Sequence, residues 1–210
     1  MVFDKRLISQ LRVRLQQELP GWAAQRRMAT EVHRQARLKP RADARQAAVL
    51  MLLYPSDKQA YLPFIVRPTY PGVHSGQIAL PGGKVDKGDT SLIMTALRET
   101  EEEIGVVVSN DHVLGMLSSL YIPPSNMLVT PVVAYAEEKK DYRPDAREVV
   151  QVLDLPLEAF SQSDYQSTVS VKAAAGITLK APAFLMQERV IWGATAMMMS
   201  ELLAVLEATH

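Results

Sequence analysis

The residues best suited to chemistry lie mid-chain, in the run Leu97-Arg98-Glu99-Thr100-Glu101-Glu102-Glu103-Ile104-Gly105. The segment from Asp89 to Ile104 reads as a helix. At about 100° per residue, Glu99, Glu102 and Glu103 fall within an arc of roughly 100°. Ile93, Leu97, Thr100 and Ile104 cluster on an adjoining face, taken as the core side, while Glu101 points elsewhere, into solvent. Like charges three and four residues apart repel, at a few tenths of a kcal/mol per pair. These acids also sit toward the helix C-terminus, where the helix dipole does not favour them. Arg98 relieves part of the repulsion by pairing with Glu102. A divalent cation would relieve more, and hard oxygen ligands favour Mg²⁺ or Mn²⁺. Held by carboxylates and a substrate phosphate, such a cation polarises a phosphoryl oxygen and activates water. The charge pattern alone also describes a solvated acidic face.

Positioning this stripe falls to a mixture of strands and helices. Leu7, Leu11, Leu15 and Leu19 recur at helical spacing, predicting an amphipathic helix over 5–19 that Pro20 stops. A polar, Arg-rich stretch runs on to about residue 45. Residues 47–54 read as a buried strand, Pro55-Ser56-Asp57-Lys58 as a turn and 61–66 as the returning strand of a hairpin. The Gly- and Pro-rich segment from Tyr70 to Gly83 reads as a functional loop. Further strands are expected near 113–121, 128–136, 149–153 and 183–187, and a last helix over 193–207. The alternation points to one α/β or α+β sandwich.

Composition narrows the setting. The chain has 210 residues, 48% hydrophobic and 22% charged, enough apolar content to build a core without staples. The absence of cysteine excludes disulfides, thiolate zinc sites and cysteine nucleophiles. Nothing at the N-terminus reads as a signal peptide, and eighteen apolar residues never run together, so no membrane span and a cytoplasmic protein are expected. Residues 1–46 hold eleven Lys/Arg against four Asp/Glu. That imbalance fits a solvated basic arm, or arginines that hold or steer a polyanionic substrate. The basic residues lack interleaved aromatics, which argues against nucleic acid as a partner.

Leu80-Pro81-Gly82-Gly83, an acid at Asp89 and Arg98-Glu99-Thr100-Glu101-Glu102-Glu103-Ile104-Gly105-Val106 together resemble the Nudix box, with Thr100 in place of its aliphatic residue. The resemblance implies a Nudix-type α/β/α sandwich with a mixed sheet, here with an extra N-terminal helical segment. Residues 1–45 would form that helical arm and 46–210 the hydrolase domain. It also implies hydrolysis of a pyrophosphate linkage in a nucleoside diphosphate derivative, a small-molecule substrate, and leaves room for a homodimer. Gly83 to Arg98 is one residue longer than the usual spacing, and Asp89 stands where Glu is expected. Asp89 reads as the helix N-cap, with metal ligation the alternative.

The extra residue resembles the coenzyme A pyrophosphatase branch of the family. Arg67, Gly76 and Pro81-Gly82-Gly83 match that branch, as do Thr130-Pro131-Val132-Val133, Glu148-Val149-Val150-Gln151-Val152 and Ile191-Trp192-Gly193-Ala194-Thr195-Ala196. Gly72 stands where the branch has a second arginine that would grip a phosphate, which keeps ADP-ribose, NADH, a damaged nucleoside triphosphate or a non-catalytic binding module open. By carry-over, Glu99, Glu102 and Glu103 are the metal ligands, and Glu102, Glu103 and Glu148 the catalytic candidates. Arg67, Gly82 and Gly83 are the substrate contacts, the glycines letting backbone approach phosphate or metal closely. His74 reads as a loop hydrogen-bonding residue, and Trp192, placed on the last helix, as core.

Overall fold

In the computed structural model, which describes residues 1–36, 39–71, 74–172, 178–186 and 188–207, the elements of the first 36 residues are helical. α1 (Lys5–Arg14) starts at Asp4, whose side chain accepts from the Leu7 N–H at 2.8 Å. The helix predicted to reach residue 19 ends at Arg14. Gln16 and Gln17 bond only three residues back, to Val13 and Arg14, tightening the last turn. The Arg-rich stretch, expected only as part of a helical arm, holds two short helices, α2 (Trp22–Gln25) and α3 (Glu31–Ala36).

Two longer strands follow, β1 (Arg45–Ser56) and β2 (Gln59–Val66). They form the expected hairpin across Asp57 and Lys58, both at positive φ, as the right-handed twist of the paired strands favours. Two short strands, β3 (Ile78–Ala79) and β4 (Gly82–Lys84), lie in the predicted loop. The acidic helix is α4 (Leu92–Ile104). The strand expected over 113–121 is two, β5 (Val113–Met116) and β6 (Leu120–Ile122), and β7 (Met127–Tyr135) and β8 (Gln151–Pro156) follow. These eight strands form one mixed sheet of order β3-β2-β1-β7-β5, with β4 beside β1, β6 beside β7 and β8 beside β2. β1 and β7 run parallel and the other pairs antiparallel. β9 (Gln166–Lys172), unpredicted because its residues are mostly polar, joins β10 (Thr178–Met186) and β11 (Arg189–Trp192) in a second, antiparallel sheet. α5 (Gly193–Glu207) closes the chain.

The two-residue period of β1 separates two cores. Ala48, Leu50, Leu52 and Tyr54 pack with Ala96 and Ile104 of α4. Ala47, Met51 and Leu53 pack on the opposite side with Leu7 and Leu11 of α1 and Met197, Leu202 and Leu206 of α5. Helices therefore cover both faces, an α/β/α sandwich. Among the described residues, no helix is long and apolar enough to cross a membrane.

One contact ties the acidic helix to a distant loop. Gly105 ends α4 at φ 72°, its N–H bonded to the Glu101 carbonyl at 2.8 Å. Just beyond, Arg143 N–H bonds the Ile104 carbonyl at 2.8 Å and Asp145 N–H the Glu103 carbonyl at 3.0 Å. A Cβ at Gly105 would meet the Arg143 Cβ at 2.7 Å. Gly105→Ala therefore combines left-handed backbone strain with a clash. It is expected to lower stability by about 1–3 kcal/mol, read as a shift of the urea midpoint; an unmoved midpoint would contradict this role.

Candidate active site

Ser91, two residues after Asp89, caps α4: its hydroxyl accepts from the Met94 N–H at 3.1 Å. The expectation that Asp89 is the cap is thus corrected. Asp89 instead folds back under the helix, its side chain 1% exposed. It accepts from Arg98 Nε at 3.0 Å and Nη2 at 2.9 Å, from Thr95 Oγ1 at 2.9 Å and from the Asp86 N–H at 2.9 Å. The fork of Arg98 beside it holds this carboxyl well below the usual carboxylate range. Arg98 also donates to Glu102 at 2.8 Å and to the Lys84 carbonyl at 3.1 Å, and lies 3.0 Å from Glu99 Oε1. The predicted Arg98–Glu102 pair is thus one arm of a larger clamp, which fixes α4 to the loop after β4.

The three ligand candidates separate. Glu103 is buried, although the helical wheel put it at the edge of the core face. Its Oε2 accepts from the Gly82 N–H at 2.7 Å and its Oε1 lies 3.6 Å from Arg67 Nη2. Burial, aided by Glu99 and Glu148, pushes its carboxyl up to about 7, against the pull of Arg67 and the Gly82 N–H. Glu99 is mostly buried, and burial likewise pushes its carboxyl up, while Arg98 opposes that shift. Glu102 lies on the solvent side, 59% exposed, engaged by Arg98.

Two glycines make the arrangement sterically feasible. A Cβ at Gly83 would fall 2.2 Å from Glu99 Oε2, so the Glu99 carboxylate occupies the space a side chain would fill. Gly82, at φ 145°, presses against β1, where a Cβ would meet the Ala48 carbonyl at 2.3 Å.

Glu99, Glu103, Gly82, Gly83, Arg67 and Glu148 line one cavity of about 1080 Å³. Glu102 is not among its lining residues. Glu148 sits on a turn three residues ahead of β8, in the loop that hangs from the end of α4. Other lining residues were invisible to motif reading: Lys84, Leu179, and Thr30, Val32 and His33 of the N-terminal segment. Trp192 is also corrected. It ends β11 rather than standing on the last helix, and it faces the cavity half-buried. His74 Nδ1 lies 3.1 Å from Gln77 Oε1, the loop role expected of it, and it too faces the cavity. Gly72 lies outside the described residues.

Among the described residues, no three acidic or imidazole side chains already converge as a metal cage. The donor set nevertheless suits a hard divalent cation. Glu99 and Glu103 offer carboxylate oxygens whose charged forms are disfavoured by burial and by neighbouring carboxylates, and a cation held by them would offset both costs.

Fold and site together define an α/β/α sandwich in which an acidic helix is clasped to a bare glycine strand. The family model described as NUDIX domain matches residues 44–170, more than half of the chain, and the chain belongs to the Nudix family. It is similar to the mitochondrial coenzyme A diphosphatase NUDT8 of Homo sapiens, 36% identical over 127 residues, covering 60% of this chain and 53% of that protein. The uncharacterized Nudix hydrolase NudL of Yersinia pestis (strain Pestoides F) is 40% identical over 124 residues, covering 59% of this chain and 61% of that protein. The similarity thus spans little more than half the length of these relatives. A MutT/nudix family protein from Enterococcus faecalis superposes with a TM-score of 0.56 at 18% identity, over 99% of this chain and 76% of that one, and so shares the fold.

Asp89→Asn keeps the shape of the side chain but removes the charge that the Arg98 fork and two further donors satisfy. It is expected to cost about 1–3 kcal/mol at pH 7. Because the folded-state carboxyl is held low, this difference should persist from pH 5 to 8 and narrow as the pH falls below about 4. Paired urea titrations across pH check it; a difference that grows in acid would contradict the clamp.

Proposed function

We propose that the chain is a divalent-metal-dependent hydrolase of a pyrophosphate linkage in a nucleoside diphosphate derivative, with coenzyme A or an acyl-coenzyme A as the substrate. Residues 46–210 would be the hydrolase domain and residues 1–45 its helical appendage. The observation that carries this reading is the meeting of Glu99, Glu103 and Glu148 with Arg67 at one wall of a single cavity. Glu99 and Glu103 would hold Mg²⁺ or Mn²⁺, with Glu102 able to join them only by leaving Arg98. Bound there, the ion would supply Lewis-acid polarisation of a phosphoryl oxygen and a more acidic water.

The chain's own residues supply the rest. Arg67 and the backbone of Gly82 and Gly83 would hold the diphosphate. Glu103 is engaged by Gly82 and Arg67, and Glu102 by Arg98. Glu148 is therefore the cavity carboxylate best placed to take the proton of the attacking water. The similarity to a coenzyme A diphosphatase supports the choice of substrate.

A panel of coenzyme A, an acyl-coenzyme A, ADP-ribose, NADH and nucleoside triphosphates, assayed with Mg²⁺ and Mn²⁺, tests the proposal. Coenzyme A compounds are expected to turn over fastest, and chelation to abolish the reaction. Glu148→Gln is expected to lower kcat by about 10²- to 10⁴-fold with KM little changed. Faster turnover of another nucleotide would move the substrate assignment. No metal-dependent turnover of any compound would favour a binding module instead.

A further inference from the structure

The cavity reaches well beyond the carboxylates. Arg45, Ala47 and Val49, alternate residues on one face of β1, form its floor together with Met127 and Val129 of β7. Val49 pairs with Gly82 and Arg45 with Met127, so the floor extends about 13 Å from the position opposite Gly82, at about 3.3 Å per residue. The volume of about 1080 Å³ lies just above the usual range for a pocket that encloses one drug-sized ligand, about 300–1,000 Å³. Much of the lining is aliphatic or thioether: Val32, Met127, Leu179, Met197 and Met198, with Trp192. Such side chains adapt to a flexible apolar chain. Val32 is 61% exposed, an apolar side chain without cover at the cavity.

Val32 belongs to the N-terminal segment, outside the stretch that matches the family, and the residues just ahead of it, Gly21 to Gln25, are tied to α5. Glu201 of α5 is fully buried, a costly place for a carboxylate unless donors surround it. Three do: the Gly21 N–H at 3.1 Å, Gln25 Nε2 at 2.7 Å and the Ser118 N–H at 3.2 Å. Two of the three come from the N-terminal segment, so lifting it away would strand the charge. Ser200 adds a bond to the Ala24 carbonyl at 2.8 Å, and the Trp22 and His33 rings meet at 5.5 Å.

Resting on the hydrolase reading above, we infer that residues 21–33 are part of the substrate site, latched by Glu201, and that the cavity they help enclose takes an apolar chain carried on the diphosphate. Val32 and Trp192 are its contact residues and Glu201 a positioning residue.

Calorimetric titration of the full chain in excess chelator, where no metal-dependent turnover occurs, tests this with octanoyl-coenzyme A, coenzyme A and ADP-ribose. The octanoyl compound is expected to bind the parent protein about tenfold tighter than coenzyme A or more, from burial of its added methylenes. Val32→Asp and Trp192→Ala should erase that ratio. Glu201→Gln should shrink the same ratio, which a general loss of folded protein would not alter. Val32→Asp, at an exposed position, keeps the test valid if Glu201→Gln fails to fold. Equal binding of the two coenzyme A compounds, no binding, or a Val32→Asp loss shared by both would overturn the inference. A retained octanoyl preference without metal-dependent hydrolysis would uphold it while overturning the hydrolase reading.

Discussion

The space beside Gly83 is the constraint on which the site depends. α4 packs against one face of the sheet through Ala96 and Ile104. Its carboxylates reach the cavity past β4, which can be passed closely only where it has no side chains. Glu99 fills the position of a Gly83 Cβ, and Glu103 bonds the Gly82 N–H. A glycine pair in a strand sacrifices propensity and packing, because a bare backbone is harder to order. Here that loss is what lets two acids approach the backbone and each other.

Holding those acids costs electrostatic energy, and the surrounding residues divide the work. Burial and proximity disfavour charge on both Glu99 and Glu103. Arg67 offsets the cost at Glu103 and Arg98 at Glu99. Arg98 is itself fixed by Asp89, so an acid in the loop ahead of the helix sets the geometry of the acids near its end. The loop with Glu148 hangs from the same helix end through Arg143 and Asp145, where Gly105 leaves room for it. One helix thereby organises the carboxylate wall of the cavity. The apolar part is organised separately, by α5 and the segment that Glu201 holds.

The legible part of this design was local. The β1–β2 hairpin follows from a turn between two apolar runs, and the acidic helix from its periodicity and its box residues. Contacts that depend on tertiary structure were not legible. Asp89 looks like a cap because caps and clamps use the same residue type, and only the fold brings Arg98 back over it. The helical wheel puts Glu103 at an edge because it cannot see β4 crossing above. Thr30, Val32 and His33 carry no motif at all; Gly21 and Gln25 just ahead of them are held by a buried carboxylate, Glu201, near the end of the chain. β9 was missed because its pairing with β10, rather than an apolar alternation, makes it a strand.

The central claim, that the bare strand admits Glu99 and so creates a cation site, is tested most directly by Mn²⁺ binding to the intact chain and to Gly83→Ala, followed by electron paramagnetic resonance of the free ion. An added Cβ meets the movable end of Glu99, so the fold should persist, checked by an unchanged circular dichroism spectrum. The parent protein should deplete the free signal saturably. The variant should bind about 10- to 100-fold more weakly, as when the support of a metal ligand is removed. A folded Gly83→Ala protein that binds Mn²⁺ as tightly as its parent would contradict the account.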